Sequence, residues 1–159
     1  MKKHFNFYKS HENNKYIQVD VGDVWFKTQA RVLYADTDSA RVLYHANYLK
    51  YFEIGRGELY RDFGYAYKKL ESENYYHPII NVNLNYYAPA CYDDLLDIYI
   101  RPQEIKTVNF TFEYKILNSA DNKYLTDGIT AHCSTKGKRP CEVDEVTKNI
   151  FKKYNDKQK

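Results

Sequence analysis

The stretch Tyr34 to Arg56, YADTDSARVLYHANYLKYFEIGR, joins a strand-like segment to an amphipathic helix and places two acids, a histidine and an asparagine at the junction. Asp36 and Asp38 stand two residues apart, so they would share one side of an extended segment, with the Thr37 hydroxyl nearby. The first amides of a helix favour negative charge, and a carboxylate beside them suits attack on a carbonyl. The alternative is that these residues only form the turn and cap before a helix, a common role for Asp and Thr.

Length and composition predict one globular domain, because the 159 residues are 43% hydrophobic. The net charge of +3 is small, and the lysines cluster only near the C-terminus, which favours a solvated helix end over an arm that binds nucleic acid. Cys91, Cys133 and Cys141 have neither paired nor metal-ligand spacing, so we expect a reducing cytoplasm and no metal. The basic N-terminus lacks the apolar segment of a signal peptide, and no stretch approaches the ~20 apolar residues of a membrane span.

Three segments are predicted along the chain. Residues 1–23 are polar and lack a clear period, which predicts an extension that is partly disordered or laid over the surface, with a targeting or partner-binding role as the alternative. Residues 24–142 form the main domain, and residues 143–159 form a C-terminal helix and basic tail. The run VWFKTQARVL, residues 24–33, is rich in strand-forming residues and predicts the first core strand.

A long helix is predicted from about Ala46 to Phe63, with Gly64 as a left-handed cap. Apolar residues recur there at helical spacings: Leu49, Phe52, Leu59 and Phe63. Gly55 and Gly57 disfavour a helix interior, so we expect something to approach them closely, such as a sheet that curls around the helix. The tyrosines are interpreted as packing residues: Tyr48, Tyr51 and Tyr60.

Alternating patterns predict the later strands. In IINVNLNYY, residues 79–87, one face is expected in the core: Ile80, Val82, Leu84 and Tyr86. Two further strands are predicted over 95–100 and 107–117, a hairpin turn over 118–123, and a last strand from Tyr124 to about Thr135. A short helix from about Val143 to Tyr154 follows. The order is a strand, a long helix, four strands in an antiparallel meander and a terminal helix, which defines an α+β fold.

The phrase DTDSARVLYHANYLKYFEIGR resembles the signature of the 4-hydroxybenzoyl-CoA thioesterase family, and especially the branch associated with the Tol-Pal envelope system. The resemblance runs from about Phe26 to Pro140. It implies a hotdog fold, in which a curved antiparallel five-stranded sheet wraps one long central helix. It also implies a homo-oligomeric acyl-CoA thioesterase, a dimer of dimers, that needs no cofactor beyond the coenzyme A of its substrate. A hotdog dehydratase or hydratase and a non-catalytic acyl-thioester-binding module remain alternatives.

The resemblance also implies catalytic residues. Asp38, the second acid of D-T-D, matches the catalytic carboxylate, which acts as nucleophile or general base. His45 matches the position whose backbone amide binds the thioester oxygen, and its imidazole is an alternative proton donor to the leaving thiolate. Asn47 is expected to cap the helix or orient Asp38. The remaining supporting residues are Tyr34, Asp36, Glu53 and Arg56, of which Glu53 and Arg56 are expected to pair with each other or across an interface.

Basic residues are the expected contacts for the phosphates of coenzyme A: Lys106, Lys136 and Lys138. Arg41 stands where the family usually carries glycine, a residue that allows tight backbone geometry. Either the loop differs, or Arg41 contacts a negatively charged group of the substrate. His77 and His132 lack the spacing of a metal site and are interpreted as structural.

Overall fold

The computed structural model describes residues 16–18 and 24–157, with the side chains of 16–18 and Lys157 outside the description. The main sheet contains six strands: β1 (Tyr16–Gln18), β2 (Val24–Arg31), β4 (Ile79–Tyr86), β5 (Leu95–Ile105), β6 (Asn109–Asn118) and β7 (Tyr124–Cys133). All pairings in it are antiparallel, in the order β1-β2-β5-β6-β7-β4. A small three-stranded sheet is formed by β3 (Tyr75–Tyr76), β8 (Thr135–Lys136) and β9 (Arg139–Pro140).

The helices are α1 (Tyr48–Asp62), α2 (Tyr67–Ser72) and α3 (Glu145–Lys157). Single 3-10 turns over Tyr34–Asp36 and His45–Asn47 precede α1, so the helix starts slightly later than predicted. It ends as predicted at Gly64, whose φ of +75° is left-handed. None of the helices in the described part of the chain is long and apolar enough to cross a membrane.

Helix α1 lies against the concave face of the sheet, and Phe52 stacks on Tyr114 with ring centroids 4.2 Å apart. A Cβ added at Gly55 would lie 2.9 Å from the Ile98 side chain, so the predicted close approach of the sheet is confirmed there. It is wrong for Gly57, where the nearest atom would be a flexible Arg61 nitrogen at 3.6 Å. The hotdog arrangement of one long helix wrapped by five long strands is confirmed, and β1 extends the sheet by a short sixth strand.

Alternation also predicts inward-facing side chains on β5 and β6, and this is confirmed for the seven that lie on these strands and are buried: Leu96, Ile98, Ile100, Phe110, Phe112, Tyr114 and Ile116. Val108, which was predicted with them, precedes β6 and is half-buried. The last helix joins the same core through Ile150, Phe151 and Tyr154. Asp144 caps α3 by accepting a hydrogen bond from the Thr147 amide at 2.9 Å.

The predicted four-strand meander is wrong, because β4 pairs with β7 and only β5, β6 and β7 follow one another. The connection over residues 87–94 crosses the end of the sheet, where the Leu43 amide donates to the Ala90 carbonyl at 2.8 Å. As a result, β4 is an edge strand. The prediction that one face of β4 lies in the core is also wrong, since Ile80 is 56% exposed and Val82 38% exposed. Of the predicted residues, Leu84 does pack against the core.

The predicted N-terminal extension lies mostly outside the described residues. Within it, residues Tyr16–Gln18 pair with β2 from Phe26 to Val24.

Candidate active site

A tight turn presents Asp38 at the end of the sheet where β2 finishes and β5 begins. The Asp38 amide donates to the Val42 carbonyl and the Arg41 amide donates to the Asp38 carbonyl, each at 2.9 Å. Arg41 closes the turn with a φ of +63°, a left-handed conformation that favours glycine. The turn therefore keeps the geometry for which a glycine is suited, and the Arg41 side chain is exposed.

Asp38 and His45 meet at one cavity of about 350 Å³. The Asp38 carboxylate is half-buried and accepts a hydrogen bond from the Ala40 amide at 2.8 Å, which fixes its orientation. The remaining walls are Val42, Leu43, Tyr48, Tyr86, Tyr87, Ala88 and Pro89. The cavity is therefore largely apolar and aromatic around one carboxylate.

The His45 amide opens the 3-10 turn that leads into α1, and none of the described residues accepts a hydrogen bond from it. Its carbonyl accepts a hydrogen bond from the Tyr86 hydroxyl at 2.8 Å, and the Asn47 amide donates to the Tyr44 carbonyl at 2.8 Å. The imidazole packs on the Tyr44 ring with centroids 4.3 Å apart and remains exposed. Hydrogen bonds to the Tyr44 and His45 carbonyls thus hold this turn in place, while the His45 N–H stays free.

Asp36 has a different environment from Asp38. It is buried and accepts hydrogen bonds from Lys50 Nζ at 2.6 Å and the Tyr51 hydroxyl at 3.0 Å. Burial, together with the Asp36 carboxylate, raises the pKa of Tyr51 to about 12. The prediction that the two acids share one side of an extended segment is wrong, because Tyr34–Asp36 forms a 3-10 turn that directs Asp36 toward α1.

Asn47 and Tyr34 support the site less directly than expected. The Asn47 side chain donates to the Asp36 carbonyl at 2.9 Å and makes no cap hydrogen bond, so it holds the loop before Asp38 rather than α1 or the Asp38 carboxylate. Tyr34 is 76% exposed and packs edge-on against Tyr92 outside the cavity.

Glu53 and Arg56 do not pair with each other. Glu53 points to solvent, whereas Arg56 is 9% exposed and donates to the Tyr114 hydroxyl at 3.2 Å. Since the two side chains leave α1 in different directions, that prediction is wrong. The alternative pairing of Glu53 across an interface stays a prediction.

The three expected coenzyme A lysines lie together at the other end of the sheet. Lys136 sits over the Tyr75 ring at 4.5 Å, Lys138 occupies the following turn, and Lys106 lies 3.4 Å from Glu104 in the β5–β6 hairpin. Strand β7 separates them from Asp38, and its ten residues span about 34 Å. One copy of the chain therefore does not bring these lysines to the Asp38 cavity.

Sequence reasoning did not identify Tyr86 or Tyr48 as site residues. Tyr86 closes the cavity from the end of β4, and Tyr48 lies beneath it, accepting a hydrogen bond from the Ala90 amide at 3.3 Å. Burial raises the pKa of both hydroxyls, so both remain protonated at neutral pH. Only the order of the strands brings Tyr86 to His45, and the local alternation pattern carried no signal of this.

No group of three or more His, Cys, Asp or Glu side chains within residues 24–157 has the arrangement of a metal site. A family model described as the thioesterase-like superfamily matches residues 32–151, which is most of the chain. The chain belongs to this superfamily.

Relatives agree with this membership. The acyl-CoA thioester hydrolase YbgC of Escherichia coli O157:H7 is 32% identical over 102 residues, 64% of this chain and 75% of that protein. The crystal structure of a hypothetical protein from Aquifex aeolicus superposes with a TM-score of 0.75 at 26% identity and covers 79% of this chain and 98% of that one. A 1,4-dihydroxy-2-naphthoyl-CoA thioesterase from Synechocystis superposes with a TM-score of 0.76 over 82% of this chain and 98% of that one; at 17% identity it shows the shared fold alone.

Proposed function

We propose that this thioesterase-superfamily protein is an acyl-CoA thioesterase, which hydrolyses the thioester to a free carboxylic acid and coenzyme A. One observation carries the proposal: the Asp38 carboxylate and the unpaired His45 amide belong to the same cavity. A thioester carbonyl between them would meet a backbone donor on its oxygen and a carboxylate beside its carbon.

In the proposed reaction, the His45 amide stabilises the negative charge that develops on the thioester oxygen. Loss of such a donor typically slows catalysis about 100-fold or more. Asp38 either takes a proton from the attacking water or attacks the carbonyl itself, forming an anhydride that water then opens. The C–S bond breaks, and the thiolate leaves and takes up a proton. The step uses no metal or cofactor, since coenzyme A enters as part of the substrate.

The test is release of free thiol from a panel of short, long and aromatic acyl-CoAs. We expect Asp38→Asn, a near-isosteric change, to lower turnover at least about 100-fold. Asp93→Asn is the matched control, because Asp93 is also an acid in a turn at this end of the sheet, but its side chain is 65% exposed and outside the cavity. Formation of an enoyl product would identify a dehydratase instead. Ligand binding without Asp38-dependent hydrolysis would identify a binding module.

Arg41 is proposed to contact a negatively charged group of the substrate. Its exposed guanidinium stands three residues from Asp38, and its planar fork suits carboxylate or phosphate. We expect Arg41→Gly to reduce the preference for acidic over neutral acyl-CoAs. An unchanged ranking of substrates would refute this role.

A homo-oligomer is proposed because the edge strand β4 exposes unpaired backbone and apolar side chains, including Ile80 and Val82. In an antiparallel pair of β4 strands about a two-fold axis, the Ile79 end of one copy lies beside the Tyr86 end of the other. That arrangement would bring the lysine-bearing end of a second copy toward Asp38, and so would complete the coenzyme A site.

Sedimentation of wild type and Val82→Glu tests the oligomer, with Asn83→Glu as the matched control on the neighbouring position. We expect Val82→Glu to release monomers and to lose thioesterase activity together with coenzyme A affinity. A fully active monomer would contradict the shared site. A tetrameric mass for wild type would support the dimer of dimers.

We also propose membership of the Tol-Pal-associated branch, supported by the D-T-D and Y-H-A-N-Y-L phrases, and a cytoplasmic location, supported by three free cysteines. The thiols are blocked at lysis, and the purified protein is then unfolded and titrated. All three cysteines should prove to be blocked thiols. A disulfide would contradict the cytoplasmic assignment.

A further inference from the structure

A second cavity, of about 530 Å³, lies between α1, α2 and β3. Three of the side chains that line it carry a buried polar atom with no hydrogen-bond partner: Arg56 Nε, the Tyr67 hydroxyl and His77 Nδ1. Arg56 is 9% exposed, and the His77 side chain 2%. Buried polar groups are almost always paired, so three unpaired atoms around one cavity are expected to bind a water molecule or a ligand that enters it.

Arg56 is a buried cation without a counter-ion. No carboxylate among residues 24–157 lies within ion-pair distance of it, and the side chains that interact with its guanidinium are two neutral phenols: Tyr114, whose hydroxyl accepts at 3.2 Å, and Tyr67. A guanidinium does not give up its proton, so it cannot escape the cost of burial by becoming neutral. A buried charge of this kind is normally compensated by an anion.

The hydrogen bonds that lead away from Arg56 through Tyr114 run in one direction and join only neutral groups. Burial lowers the pKa of His132 to about 3, so the imidazole is neutral. Its Nδ1 donates to the His77 carbonyl at 3.1 Å, which makes Nε2 the acceptor for the Thr130 hydroxyl at 2.7 Å. Thr130 in turn accepts from the Tyr114 hydroxyl at 3.0 Å, and Tyr114 accepts from Arg56. All groups in this chain beyond Arg56 are therefore neutral, and none of them supplies a negative charge to the guanidinium.

A hydrogen bond to Asp144 orients the His77 ring. Its Nε2 lies 2.8 Å from an Asp144 oxygen, so this nitrogen donates and Nδ1 is left at the cavity. Although burial opposes it, the hydrogen bonds from His77 and Thr147 hold the pKa of Asp144 below its ordinary value, so Asp144 remains a carboxylate acceptor.

We propose that this cavity binds a small organic carboxylate, with its oxygens on Arg56 and Tyr67 and its apolar body against Tyr75, Tyr76 and Ile54. The guanidinium fork matches a planar carboxylate. The volume falls within the range of small-molecule sites, about 300–1,000 Å³, and exceeds what an inorganic ion fills.

The charges at the cavity mouth are slightly acidic on balance, and Lys50 there also pairs with Asp36, so the attraction for an anion comes from Arg56 rather than from the mouth. Lys50 and Arg61 stand there beside Glu53, Glu58 and Glu71, and Arg61 neutralises Glu58 by an ion pair. These groups are largely solvated and screened, whereas Arg56 is buried. The proposal does not depend on the thioesterase activity, because it rests on groups outside the Asp38 cavity.

The test is calorimetric titration of the intact protein with benzoate, acetate and inorganic phosphate. We expect saturable binding of one benzoate per chain, weaker binding of acetate, and phosphate weaker than benzoate. Tyr67→Phe should weaken benzoate binding about 10-fold, and it should keep the fold because the phenyl ring retains the packing on Tyr60 and beneath Arg56. Arg56→Lys, which keeps the charge but removes the fork, should weaken it at least as much.

Arg61→Lys is the control, since Arg61 lies on the same helix at the mouth and should leave the affinity unchanged. Asp38→Asn should also bind benzoate normally, which separates this site from the catalytic one. The proposal is overturned if no carboxylate binds saturably, if phosphate binds more tightly than benzoate, or if Tyr67→Phe and Arg56→Lys bind like wild type. Loss of binding in Asp38→Asn would assign the carboxylate to the Asp38 cavity instead.

Discussion

The entry to α1 and the middle of the same helix differ in how tightly they are packed and in whether their polar groups are paired. At the entry, the His45 amide has no acceptor, Arg41 holds a left-handed backbone, and the surrounding loops are partly exposed. In the middle, Gly55 lies against Ile98, and a hydrogen-bonded chain from Arg56 to His132 crosses the core. The entry leaves one backbone donor free, as the proposed binding of a thioester carbonyl requires, whereas the middle uses packing and directed hydrogen bonds to hold the helix in place.

This difference predicts which property, turnover or stability, a substitution in each region should change. Changes at the entry should alter turnover with little effect on folding, because few buried contacts depend on it. Changes in the middle should alter stability first, because side chains there are close-packed and their polar groups depend on one another.

The largest expected effect comes from removing the free donor at the entry. His45→Pro deletes the backbone N–H at the first position of the helical turn, where proline is tolerated, and the ψ of 133° at Tyr44 suits a residue before proline. We expect turnover to fall about 100-fold or more. His45→Ala keeps the amide and should lose less than about 10-fold, a small effect on the scale of general acid catalysis. The reverse order of the two variants would assign the role to the imidazole.

The hydrogen-bonded chain in the middle should make stability depend on pH. Since the folded state lowers the pKa of His132 from 6.5 to about 3, the unfolded chain binds more protons between these values. The contribution of neutral His132 to the free energy of unfolding is therefore complete above pH 6.5, and it is lost progressively as the pH falls toward 3. From pH 7 to pH 5, we expect a loss of about 2 kcal/mol in the free energy of unfolding, measured with urea. His132→Gln should show a smaller difference between the two pH values; an equal difference would exclude His132 as its source.

The two glycines of α1 separate packing from helix propensity. Gly55→Ala should destabilise the protein by about 1–2 kcal/mol, because the clash with Ile98 outweighs the gain in helix propensity. Gly57→Ala meets only a flexible Arg61 nitrogen at an ordinary contact distance of 3.6 Å and should stabilise the protein by about 0.5–1 kcal/mol. Thermal unfolding of the matched pair measures both, and equal shifts would mean that the sheet does not press on α1 at Gly55.

The smallest expected effect is at the turn. Arg41→Gly should raise the free energy of unfolding by up to about 1 kcal/mol, because relief of the left-handed strain is partly offset by the greater freedom of glycine in the unfolded chain. Arg41→Ala is the control, since alanine keeps the strain and should bring no gain. A gain of equal size in both variants would place the effect in the side chain rather than in the backbone.

Much of the fold followed from local patterns. The spacing of apolar residues predicted α1 and its end at Gly64, and alternation predicted the buried faces of β5 and β6, because in each case one face of the element meets the core. The same rule was wrong for β4, where alternation marks a face that this chain leaves exposed. Alternation shows that a strand has one apolar face, but not whether the strand lies inside the sheet or at its edge.

For the candidate site, the motif predicted that Asp38 and His45 act together, although seven extended residues could span about 25 Å and it is the tight turn at Arg41 that keeps the two groups at one cavity. The motif also carried the relationship to thioesterases. Tertiary structure alone decided that Asp36 anchors α1, that Arg56 turns away from Glu53 into the core, and that Tyr86 closes the cavity. Those outcomes depend on strand order and on which side of a helix is buried, and both are set by contacts between residues far apart in the chain.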